Sequence, residues 1–490
     1  MKLQDGRTRL QDGRTRLQDG RIAGLQDWQA VRVLTLAITL VALVALSSGS
    51  PARADSAPAW LDEYREPAAR LIDEAVSDTF AWRRLAVLTD TIGNRLSGSP
   101  QLDRAIQWAL AEMKRDGLEN VHPEKVMVPK WVRGSESAEI VEPARHAIAM
   151  LGLGGSVATP RDGVEADVLV VHGFEELEAN AGQMRGKIVL LNVPFTTYGE
   201  TVRYRQNGAS RAARHGAVAM LIRSVGPGGL RLPHTGALTY AADAPRIPAA
   251  AISSEDADRL DRMTMRGGKI VVHLHMEAHF EPDVESANVV GEIRGREKPD
   301  EIVVVSGHLD SWDVGAGATD DGGGCVVSWE ALRIMKKLNM RPRRTVRVVL
   351  WTNEENGGRG GQTYRDQHRA ELARHVLMME SDSGVFRPLG FGFTGSDSAR
   401  QTVTAIATLL GGLAASEVVT GGDGADITPS VQEGHIPGLS LEVDGSKYFL
   451  IHHTQADTVD KIDPVEMAKC AAAMTVMAYV VADLPQRLGE

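Results

Sequence analysis

Three apolar runs in the second half of this 490-residue chain each end in residues that suit a divalent metal. Ile302–Ser306 leads to His308 and Asp310, Val346–Thr352 to Glu354 and Glu355, and Val376–Met379 to Glu380 and Asp382. Short apolar runs of this kind read as buried strands. Open α/β sheets bind ligands just beyond the carboxyl ends of their strands. Three strands that bring imidazole and carboxylates to one edge therefore describe a metal site. A lone histidine at a strand end is more often structural. His308-Leu309-Asp310 is different, because a ligating imidazole needs an acceptor for its second nitrogen and the Asp310 carboxylate is placed to be one.

Two further segments add ligand types. Asp320 and Asp321 precede Gly322-Gly323-Gly324, so one acid sits where backbone approaches closely while the other can cap the following helix. Adjacent side chains at a strand end point in different directions, which lets one of Glu354 and Glu355 bind metal and the other face substrate as a general base. His453 lies in the segment His452–Thr458 (HHTQADT) before the last helix. His368, His375 and His435 read as surface or packing residues. Two histidines and several carboxylates, with no cysteine, suit zinc and exceed what one tetrahedral ion needs. Two ions bridged by a carboxylate would use five protein ligands.

These residues need a scaffold. From Ser286 onward, strands at 289–293, 302–306, 344–352 and 375–380 alternate with helices near 323–338, 360–373, 399–411 and 464–482. That alternation predicts an α/β fold with a mixed, mostly parallel sheet covered by helices on both faces. Residues 59–117 read as helical, with Ser99 as N-cap, Pro100 at the first helical position, and Ile106, Leu110 and Met113 on one face. Val121–Val128 reads as a strand. From about 135 to 283 the texture changes to short strands (Asp167–Val171, Lys187–Asn192, Ala217–Ile222), a helix-like Ser210–His215 and glycine-rich turns. No cluster of His, Asp and Glu marks strand ends there, so a small β-rich inserted domain is expected, a lid or binding module without chemistry of its own. The expected division is 1–54, 55–134, 135–283 and 284–490.

With 43% hydrophobic and 24% charged residues the composition is that of a soluble globular protein. A formal charge of −10 and a pI near 5.8 exclude general nucleic-acid binding, which needs a basic face. Cys325 and Cys470 are too few for a disulfide framework or a thiolate zinc site; they read as buried thiols, with one disulfide as the alternative in an exported protein. At the N-terminus, Leu3–Arg9 recurs at Leu10–Arg16 without an apolar face, which marks low-complexity sequence or a start site assigned too far upstream. Arg32, the apolar Val33–Leu46 and Ala52-Arg53-Ala54 form a secretory signal, too short for a comfortable membrane span. A periplasmic or extracellular protein is expected, with an uncleaved anchor as the alternative.

Taken together, these segments resemble the co-catalytic di-zinc exopeptidases, the family of bacterial secreted aminopeptidases, glutamate carboxypeptidases and the carboxypeptidase Q group. The likeness runs through Ile92–Ser99 (IGNRLSGS), Val128–Gly134 (VPKWVRG), Gly307–Asp313 (GHLDSWD), Asp320–Gly324 (DDGGG) and His452-His453. Lys187–Asn192 with the glycine-rich segment after it resembles a protease-associated domain. The resemblance implies that His308 and Asp382 bind one zinc, Glu355 and His453 the other, and Asp320 bridges both. It makes Glu354 the base, gives Asp310 the orienting of His308, and leaves His452 for substrate or oxyanion contact. It further implies hydrolysis of dipeptides or short peptides by a metal-activated water, a homodimer, and no stable membrane insertion after signal cleavage. A receptor-like binding protein and a single-zinc glutaminyl cyclase share the scaffold. Terminal specificity stays open: Asp426 or Asp444 would suit a substrate amino group, Lys447 or Arg387 a carboxylate.

Overall fold

The computed structural model describes residues 58–422 and 424–490; the heptad repeat and signal-like segment of residues 1–54 lie outside the described residues. Eight strands form the main sheet in the order Glu119–Val132, His279–Ile293, Arg344–Trp351, Lys298–His308, His375–Glu380, Gly438–Val443, Pro388–Thr394, Glu417–Thr420. The four central strands, from Arg344–Trp351 to Gly438–Val443, run parallel, and antiparallel pairing flanks them on both sides. The α/β expectation of a mixed, mostly parallel sheet holds.

Alternation along the central strands explains why both faces are covered. Val303, Val305, Val346 and Val348 pack toward the helices Asp62–Val76, Gly323–Lys337 and Pro464–Asp483, while Ile302, Val304, Val349 and Trp351 pack with Tyr364, Ile427 and Val431 on the other side. Pro464–Asp483 is long and apolar enough to cross a membrane by composition alone, yet it is buried in this core, as an all-round apolar helix of a globular protein must be. Cys325 and Cys470 are both buried and free, so the disulfide alternative is not realised.

Three sheet strands were not legible. Pro388–Thr394 carries Gly390 and Gly392, which lower strand propensity. A Cβ on Gly392 would stand 2.1 Å from the Gly421 carbonyl oxygen, so close backbone approach sets the residue type there.

A second eight-stranded sheet occupies the excursion between Glu136 and Met276. Its core strands Val164–Val171, Ile188–Leu191, Ala219–Arg223 and Ala249–Ile252 are parallel, and helices Phe174–Ala179, Tyr198–Arg214 and Ser254–Met265 cover it. Tyr198–Arg214 begins well before the expected Ser210. Thr197 caps it by accepting from Glu200 N, and Gly208, a poor helix former, lies where a Cβ would meet Leu191 at 2.5 Å. Packing overrides propensity at that position.

Candidate metal centre

The parallel strands end together, with His308 in register with Trp351 and Ser306 with Glu380. His308 is fully buried. Its Nε2 lies 3.1 Å from Asp320 Oδ1 and 3.3 Å from Asp382 Oδ1. On the opposite side of Asp320, Oδ2 lies 3.1 Å from His453 Nε2, which is also 3.1 Å from Glu355 Oε2. Ligand atoms about 2.0–2.2 Å from a tetrahedral ion stand roughly 3.3–3.6 Å apart, so both groups need only small adjustments to enclose a cation. His452 Nε2 also approaches Asp320 Oδ2, at 3.5 Å. Asp320, His452 and His453 thus form one compact group, and His308, Asp320 and Asp382 another. Of the two histidines, His453 approaches both Asp320 and Glu355 at 3.1 Å, whereas His452 makes the longer contact to Asp320; both line the cavity.

The second imidazole nitrogens decide the tautomers. His308 Nδ1 meets the Asp310 main-chain carbonyl at 3.0 Å, and His453 Nδ1 meets the Thr235 carbonyl at 3.2 Å. Each Nδ1 therefore carries the proton and donates it, which leaves the Nε2 lone pair free for a cation set between it and the carboxylates. Asp310 was expected to act on His308 through its carboxylate, but Oδ1 is 3.9 Å from Nδ1. That carboxylate instead accepts the N–H of Glu354 at 3.1 Å, the N–H of Glu355 at 3.3 Å and the Ser97 hydroxyl at 3.3 Å. Its backbone serves the histidine and its side chain serves the two glutamates.

The Asp320-Asp321 pair divides its work. Asp321 accepts from His308 N and from Gly324 N, both at 3.0 Å, tying strand to helix start. A Cβ on Gly307 would lie 2.5 Å from Asp321 Oδ2, and one on Gly324 1.9 Å from the Ser381 carbonyl oxygen, so both glycines are steric requirements. Asp320 is left to face the histidines.

Without a cation, the site is short of positive charge. Despite burial, which opposes it, Asp382 and Asp320 push the His308 imidazole well up, and Glu355 and Asp320 do the same to His453. Burial, then Asp320, raises Glu355 to about 7. Burial also pushes Glu354 well up, with Asp382 and Glu355 adding to it. Asp320 Oδ2 is buried without a hydrogen-bond donor. Two neutral-imidazole donors and a carboxylate excess suit zinc.

Several positioning groups lie in segments singled out in the sequence, but their partners there could not be read. Arg95 is fully buried and donates to the carbonyls of Leu309, Gly93, Ala316 and Gly317 at 2.7–2.8 Å, which clamps the loop after His308. Asp457 accepts from Thr319 N and Asp320 N at 2.7 and 3.2 Å. Trp312 N donates to Glu355 Oε1 at 3.1 Å. Its ring lies on Gly154 of the insertion, where a Cβ would be 1.9 Å away. Thr235 also belongs to the insertion, which was expected to take no part in the chemistry.

A cavity of about 610 Å³ opens over the centre, lined by Asp320, Glu354, Glu355, Asp382, His452 and His453 from the main domain and by Tyr198, Arg205 and Ala237 from the insertion. Asp426 does not line it. That carboxyl is buried behind Glu380 with both oxygens unpartnered, held well above the ordinary range by burial and by Glu380. Arg387 pairs with Asp444 at 3.2 Å on the surface, and Lys447 is exposed. His375 is buried, and His368 pairs with Glu124 at 2.8 Å; both serve packing.

Residues 288–478 match peptidase family M28 and residues 154–260 match the PA domain. Carboxypeptidase Q of Mus musculus is 49% identical over 428 residues, 87% of this chain and 91% of the mouse protein. The Homo sapiens protein is 49% identical over 83% of this chain and 86% of its own length. Among solved structures, a peptidase M28 precursor from Shewanella amazonensis superposes with a TM-score of 0.83 at 36% identity, covering 87% of this chain and 98% of that one. A zinc aminopeptidase from Bacillus subtilis shares the fold with a TM-score of 0.64 at 21% identity, over 84% of this chain and 96% of that one. The chain belongs to peptidase family M28 and is a zinc metallo-exopeptidase with an inserted PA domain.

Proposed function

We propose that the enzyme is an exported di-zinc exopeptidase that hydrolyses dipeptides or short peptides with Glu354 as general base. The observation that carries this reading is the Asp320 carboxylate, with Oδ1 turned to His308 and Oδ2 to His453. One carboxylate shared between two ligand groups is what a bridged metal pair requires. His308 and Asp382 would hold one zinc and Glu355 and His453 the other.

When bound, such a pair polarises the scissile carbonyl and lowers the pKa of a water. Glu354 lines the cavity, with its N–H anchored on Asp310. Its carboxylate takes the proton from the attacking water and returns it to the leaving amine. His452 is held neutral by burial and by neighbouring His453. Its Nδ1 has no partner among the described residues, and the ring lines the cavity, which supports a role in substrate contact. Export rests on Arg32, Val33–Leu46 and Ala52-Arg53-Ala54; a full-length chain retained in the cytoplasm would contradict it.

A panel of dipeptides with free or blocked ends, assayed with and without chelator alongside zinc content per chain, tests the reading. Two zincs and chelator-sensitive cleavage are expected. Cleavage that survives chelation refutes it, and one zinc per chain would favour cyclase chemistry instead.

A further inference from the structure

The segment Val128–Gly134 leads out of the main sheet into the insertion, and Arg133 stands at the point of departure. Its side chain is 10% exposed. A guanidinium carries five N–H groups and is costly to bury unless they are paired. Here all five are committed. Nε and one Nη form a bidentate pair with the Asp313 carboxylate, at 2.8 and 2.5 Å. That Nη also donates to the Thr235 hydroxyl at 3.3 Å. The other Nη donates to the Gly152 carbonyl at 2.5 Å and to Glu136 at 3.4 Å. Arg133 therefore ties the loop after His308 to separate segments of the insertion.

The partners of Arg133 lead directly to metal-site residues. Asp313 follows Trp312, whose main-chain N–H donates to Glu355 Oε1 at 3.1 Å. The Trp312 ring also stands edge-on to the His453 ring, with centroids 5.6 Å apart. Thr235 supplies the carbonyl that meets His453 Nδ1 at 3.2 Å. Glu355 and His453 are the pair assigned to one zinc, so outer contacts of both converge on a single guanidinium. The other pair is supported separately. The Asp310 carbonyl holds the His308 ring and Asp321 accepts the His308 N–H, while Asp382 follows the central strand His375–Glu380. Among the described residues, no hydrogen bond joins His308 or Asp382 to Arg133, Asp313 or Thr235. A bidentate arginine–carboxylate pair defines geometry as well as adding energy, and only a planar fork holds Asp313, Thr235 and Gly152 at once.

We propose that Arg133 is a positioning residue for one half of the metal centre, setting Glu355 and His453 through Trp312 and Thr235. The two zincs are then unequal. Retention of one depends on how the insertion is docked on the main domain, and retention of the other does not. This goes beyond the di-zinc reading and rests on it.

The test is stepwise zinc loss from the zinc-loaded full chain, read by competition against a chromogenic chelator. The wild type should show two zincs and two steps. Arg133→Met keeps the apolar stem and removes the fork. One step should then weaken about 10- to 100-fold, as loss of outer support does, while the other stays within about threefold. Anomalous diffraction from variant crystals holding one zinc equivalent should place that zinc at His308 and Asp382. If Arg133→Met does not fold, Asp313→Asn breaks the bidentate pair with little change of shape and should weaken the same step at least fivefold. Arg133→Lys keeps the charge without the fork and should not restore that step. Equal weakening of both steps, as a merely structural defect produces, overturns the proposal. So do two unchanged steps, or selective loss of the zinc at His308 and Asp382. Each of these leaves a two-zinc wild type and the di-zinc reading standing. A wild type that binds one zinc overturns that reading and the proposal with it.

Discussion

Thr235 and His453 are joined by two reciprocal hydrogen bonds: the His453 ring donates from Nδ1 to the Thr235 carbonyl at 3.2 Å, and Thr235 N donates to the His453 carbonyl at 3.0 Å. His453 adopts a left-handed backbone, φ 59°, a costly conformation for a residue with a side chain, kept only where surroundings over-determine it. The insertion is part of those surroundings. Thr235 in turn is fixed by its hydroxyl, which donates to the Gly152 carbonyl at 2.7 Å and accepts from Arg133 at 3.3 Å. Thr235→Val should therefore weaken zinc retention about tenfold, as loss of an outer support for a ligand does. Competition against a chromogenic chelator measures it, and unchanged affinity would show that the peptide is held well enough without the hydroxyl.

Glu354→Gln preserves shape and removes the proposed base. Zinc content should stay at the wild-type level while kcat falls at least 10²- to 10⁴-fold. Turnover near wild type with full metal content would remove Glu354 from the proton path.

Asp310→Asn tests the divided role of that residue. The amide keeps the backbone contact to His308 but turns an N–H₂ toward donors that now meet a carboxylate. We expect about a 10- to 100-fold loss of kcat with a smaller loss of zinc affinity. Equal losses in both would place the carboxylate's effect on the metal ligands instead.

His375 makes a pH prediction away from the metal. It is 2% exposed, its Nε2 pairs with the Tyr364 hydroxyl at 2.8 Å, and burial pushes its pKa down to about 4 from 6.5. Because the folded value lies below the unfolded one, the unfolded chain takes up a proton first as pH falls. Stability is therefore fully present above about pH 6.5 and is lost progressively down to about pH 4. At pH 5 the loss is about 1–2 kcal/mol. Urea unfolding of wild type and His375→Gln at pH 7 and pH 5 should show the variant losing less between the two pH values. Equal losses would mean that His375 is not the group responsible.

The sheet edge was readable because it depends on local pattern. Apolar runs such as Ile302–Ser306 and Val346–Trp351 announce strands, and the topology rule then says where their ends go. Ligand type was readable too, since His and carboxylates without thiols narrow the metal. What could not be read was support over long chain distances. Arg95 clamps carbonyls more than two hundred residues away, and Thr235 lies 218 residues from His453; no period or motif encodes such pairs. Main-chain acceptors were equally silent, which is why Asp310 appeared to serve His308 by its carboxylate when its carbonyl does so. Arg205 was passed over for a related reason. In sequence it is one more charge on an amphipathic helix, and only burial without a carboxylate partner among the described residues sets it apart.

The strand that leaves for the insertion and the strand that returns are paired along their length, closing with Val132 opposite His279. For the main sheet, the whole excursion is thus equivalent to a hairpin loop. Its ends are pinned side by side, so the chain entropy of a very long closure is offset by a unit that compacts within itself. The order of assembly follows. The helices and strand of residues 62–132 meet their sheet partners only after the excursion has passed, so the main domain is a fold of high contact order that must wait. The insertion has its own sheet and one core wholly within it, while a second core is shared with Leu96, Trp131 and Trp312 of the main domain, so the Thr235 carbonyl reaches His453, near the end of the chain, across a continuous packed boundary.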